Sequence, residues 1–277
     1  MIAREAAARL NRAAIGLRKR YEVDVLARKY RPKFTRFFLH QKTLTLGRFK
    51  DYRFLFTEEY RTLREETRPN EFLTTHDWDG LWQDIDRATF DDLQKIIAQV
   101  EGEGVLKGAA FGLNQIGTIT PDSPTFSLAN PRAVQWFMQN GGSVDKIKGI
   151  NKTTGDQIRA IIAKAIETGQ SYNKTAKEIS DKFDGFSRER AQTIAVLESG
   201  NAYEEGNAEF ARSIADEGIT MVKRWNTSAD EKQCDVCQGN EDEGPIPINQ
   251  YHQSGHQQPC AHPGCRCYET YEQAKES

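Results

Sequence analysis

The first 233 residues of this 277-residue sequence contain no cysteine, and all five cysteines lie between Cys234 and Cys267. A framework of disulfides that cross-links the whole chain is therefore excluded, because the first 233 residues have no thiols to pair. Five cysteines cannot all pair with one another, and the amino-terminal stretch is too polar for a secretory signal. The sequence predicts that the thiols act together, near the carboxyl end.

Long apolar runs are also missing. Hydrophobic residues make up 38% of the chain and the mean hydropathy is -0.70. No run approaches the roughly 18 apolar residues that a membrane span needs. This composition predicts long amphipathic helices with much exposed surface, in a protein that is made in the cytosol and has no membrane segment.

Acidic residues are scarce at the start of the chain. Residues 1–53 hold 15 Lys and Arg residues and 4 Asp and Glu residues, a net charge of +11, although the whole chain carries -2. A basic arm on an acidic body can bind DNA, an acidic partner protein or a second copy of the chain. The alternative is a basic helix face that contacts only solvent.

Helical spacing of apolar residues dominates the chain up to about residue 218. We expect a mainly α fold with an elongated multi-helix body and a small C-terminal β-rich, zinc-bound module. The predicted segments are a basic helical arm (1–68), a helical segment with a Pro/Ser-rich connection (69–129), a helical core (130–218) and the Cys/His module (219–277).

Prolines, glycines and hydroxyl residues predict where the helices begin and end. We expect a break at Pro32, ends at Gly102–Gly104, Gly169, Gly185 and Gly218, and starts at Thr154, Ser171 and Ser187. A strand should follow Gly218, and "CRCYETYE" should form the return strand.

Aromatic residues recur between basic residues from Phe34 to Tyr60. Such residues stack on bases in some nucleic-acid-binding proteins. At helical spacing they more often form a core or a face that docks a partner. Both interpretations are open at this point.

Two short cysteine motifs predict a metal site. Cys234 and Cys237 form C-x2-C, and His262, Cys265 and Cys267 lie in H-P-G-C-R-C. Two ligands from each turn would complete a tetrahedral Zn²⁺ site. On the assumption that Cys265 and Cys267 point to opposite sides of an extended segment, we expect only one of them to ligate, and we favour Cys265 by its H-x2-C spacing from His262.

The remaining candidates and the alternatives are weaker. Reserve ligands are Cys260, His252 and His256. Disulfides are the competing interpretation of the thiols. Glu241, Asp242 and Glu243 lie in a polar stretch where we expect them to be solvated. No phosphate-binding loop, nucleophile elbow or zinc-protease helix is present, so we expect a structural metal and no enzymatic activity.

These motifs resemble the phage Mu F-like head-morphogenesis (minor head protein) family. The residues that carry the resemblance are Trp225, Thr227, Asp230, Cys234, Cys237, His262, Pro263, Cys265, Arg266 and Cys267. The helical stretch before them is similar to the same family, so that the resemblance covers about 130–270. Cys260 departs from the family pattern, in which a proline is usual.

The resemblance implies a minor virion component inside the phage head, near the portal, that acts in head assembly or in DNA packaging and delivery. The implied partners are the portal protein and other head proteins. The basic residues 1–53 would contact DNA or an acidic partner, and self-association is a further expectation. Some relatives carry toxin domains after this module, and we expect none in the ten residues after Cys267.

Two other functions compete with this one. A zinc-stabilised nucleic-acid-binding protein unrelated to capsids should have a basic zinc module. Residues 225–277 instead hold Lys232, Arg266 and Lys275 among many acidic residues. A zinc-dependent hydrolase or nuclease would need a general base and an open metal position, for which the sequence offers no clear candidates.

Overall fold

The structure is a computed structural model that describes residues 2–60, 62, 76–116, 144–228, 234–259, 262 and 264–274. The helices are α1 (Ile2–Phe49), a 3₁₀ helix (Lys50–Phe56), α2 (His76–Ile116), α3 (Val144–Glu167), α4 (Tyr172–Asp216) and α5 (Asp235–Asp242); the strands are β1 (Met221–Asn226), β2 (Pro245–Pro247) and β3 (Tyr268–Gln273). The predicted class, mainly α with a small C-terminal strand module, is confirmed. None of the described helices has the length and apolarity needed to cross a bilayer.

Several predicted helix ends are confirmed. Gly169, with φ of 66°, follows the end of α3, and Gly218, with φ of 90°, follows the end of α4. Both adopt a left-handed conformation that favours glycine. Ser171 caps α4, because its Oγ accepts from the backbone N–H of Lys174 at 3.4 Å. Strands β1 and β3 lie where the sequence predicts them.

Other predicted breaks are wrong, because packing outweighs local preference. Pro32 lies inside α1, where buried Tyr30 and Phe34 anchor the helix on both sides of it. Residues 102–104 lie inside α2, and Gly185 lies inside α4. A further correction concerns two predicted helix starts, Thr154 and Ser187, which lie inside α3 and α4.

The chain forms two compact units, each assembled from separate stretches. The first comprises Met1–Tyr30, Ile97–Gly141 and Gln192–Ser277, and the second comprises Arg31–Ile96 and Gly142–Ala191. Helices α1, α2 and α4 contribute residues to both units. The four consecutive segments expected from the sequence stay a prediction.

The second unit has an aromatic core. Phe38 packs edge-on against Phe186, with ring centroids 5.8 Å apart, and Phe183 lies 5.1 Å from Phe186. The Arg190 guanidinium lies 4.8 Å from the Phe38 ring centroid, and burial lowers the pKa of Arg190 to about 10. It donates to Thr154 Oγ1 at 2.6 Å. The buried Phe residues therefore serve as a core and not as a surface for stacking bases.

In the first unit, helices α2 and α4 approach each other at glycines. A Cβ atom at Gly108 would overlap the carbonyl oxygen of Tyr203, and one at Gly206 would overlap the carbonyl oxygen of Val105. The two backbones are thus nearly in contact, which only glycine permits. This packing places residues 203–210 of α4, all of them buried, beside the sheet.

The three strands form an antiparallel sheet in the order β2-β1-β3. Trp225 of β1 pairs with Glu269 of β3, and Val222 pairs with Pro247 of β2. Met221 and Tyr271 pack with Phe210 and Ile214 of α4 in one cluster. Trp225 packs with Cys237, Cys265 and Cys267 in another. The sheet thus connects α4 to the cysteines.

Candidate metal centre

Two turns bring the predicted ligands together. Cys234 is the residue before α5 and has extended backbone (φ -99°, ψ 161°), while Cys237 lies in the first turn of the helix. On the other side, the backbone N–H of Cys265 donates to the His262 carbonyl at 3.0 Å, and Gly264 has φ of 81°. Each tight turn presents its two ligand side chains toward the same point.

The ligand atoms form two groups that share Cys237, one with Cys234 and His262 and the other with Cys265 and Cys267. Three distances within these groups are close to those of a tetrahedral centre. His262 Nε2 lies 3.3 Å from Cys234 Sγ and 3.4 Å from Cys237 Sγ. The Sγ atoms of Cys237 and Cys265 are 3.9 Å apart. Zn–S and Zn–N bonds at tetrahedral angles would separate N and S by about 3.6 Å and two S atoms by about 3.8 Å. This Cys/His group could therefore hold a metal ion.

Cys267 belongs to the same cluster as Cys265. The Sγ atoms of Cys237, Cys265 and Cys267 all lie within 4.8 Å of one another. The expectation that Cys265 and Cys267 point to opposite sides is therefore wrong. The expectation fails because residues two apart in an extended segment lie on the same face, so this spacing itself favours neighbouring thiols. Which of the two takes the fourth position stays a prediction.

The four described cysteines are free thiols. A disulfide needs about 2.05 Å between its sulfur atoms, far less than the 3.9 Å between Cys237 and Cys265. A hydrogen bond from the Cys237 backbone N–H lowers the pKa of Cys234, whereas burial raises the pKa of Cys237 to about 12. Hydrogen bonding with Cys265 and burial also raise the pKa of Cys267. A cation would have to displace these thiol protons.

The reserve ligands lie apart from this cluster or outside the described residues. His252 is buried between two carboxylates, with Nδ1 3.1 Å from Glu243 Oε2 and Nε2 2.8 Å from Glu269 Oε1. His256 Nδ1 lies 3.0 Å from Ser254 Oγ. Cys260 is outside the described residues.

Glu241 and Glu243, which the sequence predicted to be solvated, hold the module together, whereas Asp242 is exposed. Glu241 accepts from the backbone N–H of Thr227 at 3.2 Å and from its hydroxyl at 2.6 Å. Glu243 accepts from the backbone N–H of Gln253 at 3.2 Å and contacts His252. The prediction fails because residues 235–242 form α5 instead of an open loop.

A buried ionic network connects the metal cluster to the helices. Lys19 of α1 forms an ion pair with Glu204 of α4 and donates to the Cys267 carbonyl at 2.7 Å. Glu204 also accepts from the Glu269 backbone N–H at 3.2 Å, and burial raises the pKa of Glu204 to about 7. Sequence reasoning missed these residues. The sequence signal for this network is the acidic Glu204, which lies in a stretch of α4 that faces the core.

Comparison with known protein families agrees with the sequence motifs. Residues 156–270 match the family model described as "Phage Mu protein F like protein". This part of the chain is similar to the phage Mu F-like proteins, and we call it the Mu F-like domain. The resemblance predicted from the sequence is thereby confirmed, although the match begins at 156 and not near 130. No curated protein and no solved structure matches the chain significantly.

The Mu F-like domain comprises most of α3, all of α4 and the strand module with the Cys/His cluster. The family indicates a phage head morphogenesis protein, and hence a virion protein that associates with other head proteins. All five predicted ligands lie within the matched range.

Proposed function

We propose that the protein is a minor component of the phage head that acts in head assembly, next to the portal. The observation that carries the proposal is that the Mu F-like domain contains the Cys/His cluster and the helices that pack on it. In this role the helices bind partner proteins, and the strand module is held in one conformation by the metal that cross-links it.

We propose Zn²⁺ as the metal. Thiolate and imidazole ligands suit zinc, whereas magnesium and calcium prefer oxygen ligands. The two ligand groups share Cys237 and together offer five ligand atoms, more than the four positions of a tetrahedral zinc ion. We infer that protein side chains fill the whole coordination sphere. A filled sphere supports a structural role rather than a catalytic one, because a catalytic zinc keeps a position for water or substrate.

The test of the metal is elemental analysis of the purified full-length protein. We expect one zinc per chain and its loss in Cys237→Ser, because Cys237 is the residue shared by both ligand groups. Cys260→Ser is the matched control and should retain zinc. Wild-type protein without zinc, or with an equal amount in Cys237→Ser, would contradict the assignment.

Contact with DNA and with the portal is proposed for the basic residues of α1. Deleting residues 1–53 would remove the buried Val23, Leu26 and Phe34, so a deletion would test folding instead of binding. Exposed arginines are better targets. Arg28, Arg36 and Arg48 can each be changed to Gln, because their side chains are exposed.

We expect the triple Arg→Gln variant to bind double-stranded DNA, or the portal protein of the same phage, more weakly at low salt. Loss of phosphate contacts would also flatten the salt dependence of DNA binding. The matched control changes the exposed Lys152 and Lys177 to Gln. Unchanged binding of the arginine variant to both partners would rule out this role of α1.

A further inference from the structure

The first part of α1 has two apolar faces on opposite sides. At 100° per residue, Ile15, Val23 and Leu26 share one face, and Val23 packs there with Phe111 and Tyr203. Leu10, Leu17 and Tyr21 share the opposite face. Their exposed fractions are 73%, 65% and 62%, so within the described residues nothing covers them.

The exposed face has the spacing of a coiled-coil seam. Together with the exposed Ala7 and Ala14, these residues give apolar positions 7, 10, 14, 17 and 21, which alternate steps of three and four. We call these five residues the outer stripe. Alanine at alternate positions leaves room for a second helix to approach closely, whereas the three large side chains fill its grooves.

Charge selects the kind of helix that fits. Residues 7–21 include five Lys and Arg residues and no Asp or Glu residue. A second copy packed on the outer stripe would bring two strongly basic segments together, which like-charge repulsion opposes. DNA would place phosphates against an apolar seam, which offers them no donors. A helix with Glu or Asp beside its own apolar seam would match both the apolar outer stripe and the positive charge of residues 7–21.

We infer that the outer stripe docks an amphipathic helix of another protein whose apolar seam is flanked by acidic residues. Arg18 is exposed and its guanidinium lies 5.8 Å from the Phe111 ring centroid, so it adds to the positive charge of this segment from beside the outer stripe. This goes beyond the proposed head function and does not depend on the metal, because only α1 carries it.

The probe is a synthetic four-heptad helix with Leu at both seam positions and Glu at the flanking positions, labelled for fluorescence anisotropy. The matched peptide carries Lys at the flanking positions. We expect full-length protein to bind the Glu peptide at least about tenfold more tightly than the Lys peptide, since like charges oppose the latter. Arg18→Glu should reduce this preference.

The double variant Leu10→Gln/Leu17→Gln should weaken binding of the Glu peptide by about tenfold or more, because it removes two leucines that the bound peptide would cover. Leu39→Gln is the matched control, since Leu39 is also exposed (41%) on α1 but lies away from the outer stripe. Circular dichroism checks that each variant keeps its helix content.

Equal binding of the two peptides, or binding that the double variant leaves unchanged, would overturn the inference. So would a dimer in solution that the double variant dissociates, because the stripe would then be a self-association surface. Vesicles of phosphatidylglycerol test a lipid surface. Vesicle binding that the double variant abolishes, without binding of the Glu peptide, would likewise overturn it.

Discussion

The second unit and the C-terminal module are held together in different ways. In the second unit, Phe38 and Phe183 are fully buried, and a single arginine lies over the rings of Phe38 and Phe186. In the module, Trp225 packs against cysteines and the buried His252, and the buried Lys223 and Glu269 lie on the same face of the sheet as Trp225. The helices bury apolar side chains, while the stretch between β2 and β3 has few apolar side chains to bury.

This difference gives a physical reason why the proposed metal would lie in the module and not among the helices. Long helices satisfy their own backbone hydrogen bonds and need only apolar packing. Strand β2 has three residues, and most of the stretch between it and β3 is irregular, so that hydrophobic burial alone cannot fix the stretch. The proposed metal would supply the missing cross-link. We therefore expect the two regions to respond differently to four changes.

Metal removal should have the largest effect and should be confined to the module. In zinc peptides, coordination contributes about 10–16 kcal/mol, so Cys237→Ser or chelation should cost the module at least several kcal/mol. Hydrogen exchange read by mass spectrometry should become faster in β1 and β3 and stay unchanged around Phe38 and Phe183. Protection that survives chelation in both strands would remove the distinction between the two regions.

Phe38→Ala should destabilise the second unit by about 4 kcal/mol, because it leaves a cavity among buried rings. Urea denaturation gives the change in the free energy of unfolding. Phe38→Leu, which keeps most of the volume, should cost much less. Zinc content should not change in either variant. Loss of zinc in Phe38→Ala would show that the aromatic core also maintains the metal site.

We expect the stability of the protein to depend on pH through Glu204, a member of the buried ionic network. Its pKa rises from 4.5 in the unfolded chain to about 7 when folded, because burial disfavours the carboxylate. The folded state therefore holds the proton more tightly, so stability should fall as pH rises from about 4.5 to 7, by about 3 kcal/mol.

Glu204→Gln should remove that part of the pH dependence, because the amide does not titrate. The measurement is the free energy of unfolding of both proteins from pH 4.5 to 8, and their difference cancels the titration of all other groups. A difference that is constant across this range would show that Glu204 is ionised throughout.

Gly108→Ala should have the smallest effect of the four, about 2 kcal/mol of destabilisation, because the added methyl group overlaps the Tyr203 carbonyl. Gly185→Ala is the matched control in α4, where a Cβ meets nothing within 4 Å. The control should stabilise by up to about 1 kcal/mol through helix propensity. Equal effects of the two substitutions on the thermal midpoint would contradict the close approach of α2 and α4.

Much of the local structure could be predicted from the sequence. The ends of α3 and α4 depend on Gly169, Ser171 and Gly218, whose conformational preferences act within a few residues. The ligand types and their spacing were equally local. Pro32 and residues 102–104 were misjudged because their effect depends on what packs against the helix, which a local pattern does not record.

By itself, then, the sequence determined a mainly helical chain with a cysteine and histidine module near its end, because periodicity, capping and ligand spacing are properties of neighbouring residues. Only the tertiary structure decided that Cys267 joins the cluster, that His252 lies between two carboxylates, and that Lys19 donates to a carbonyl 248 residues away. The physical reason is that a buried polar group must find a partner, and the fold decides which distant residue lies within reach.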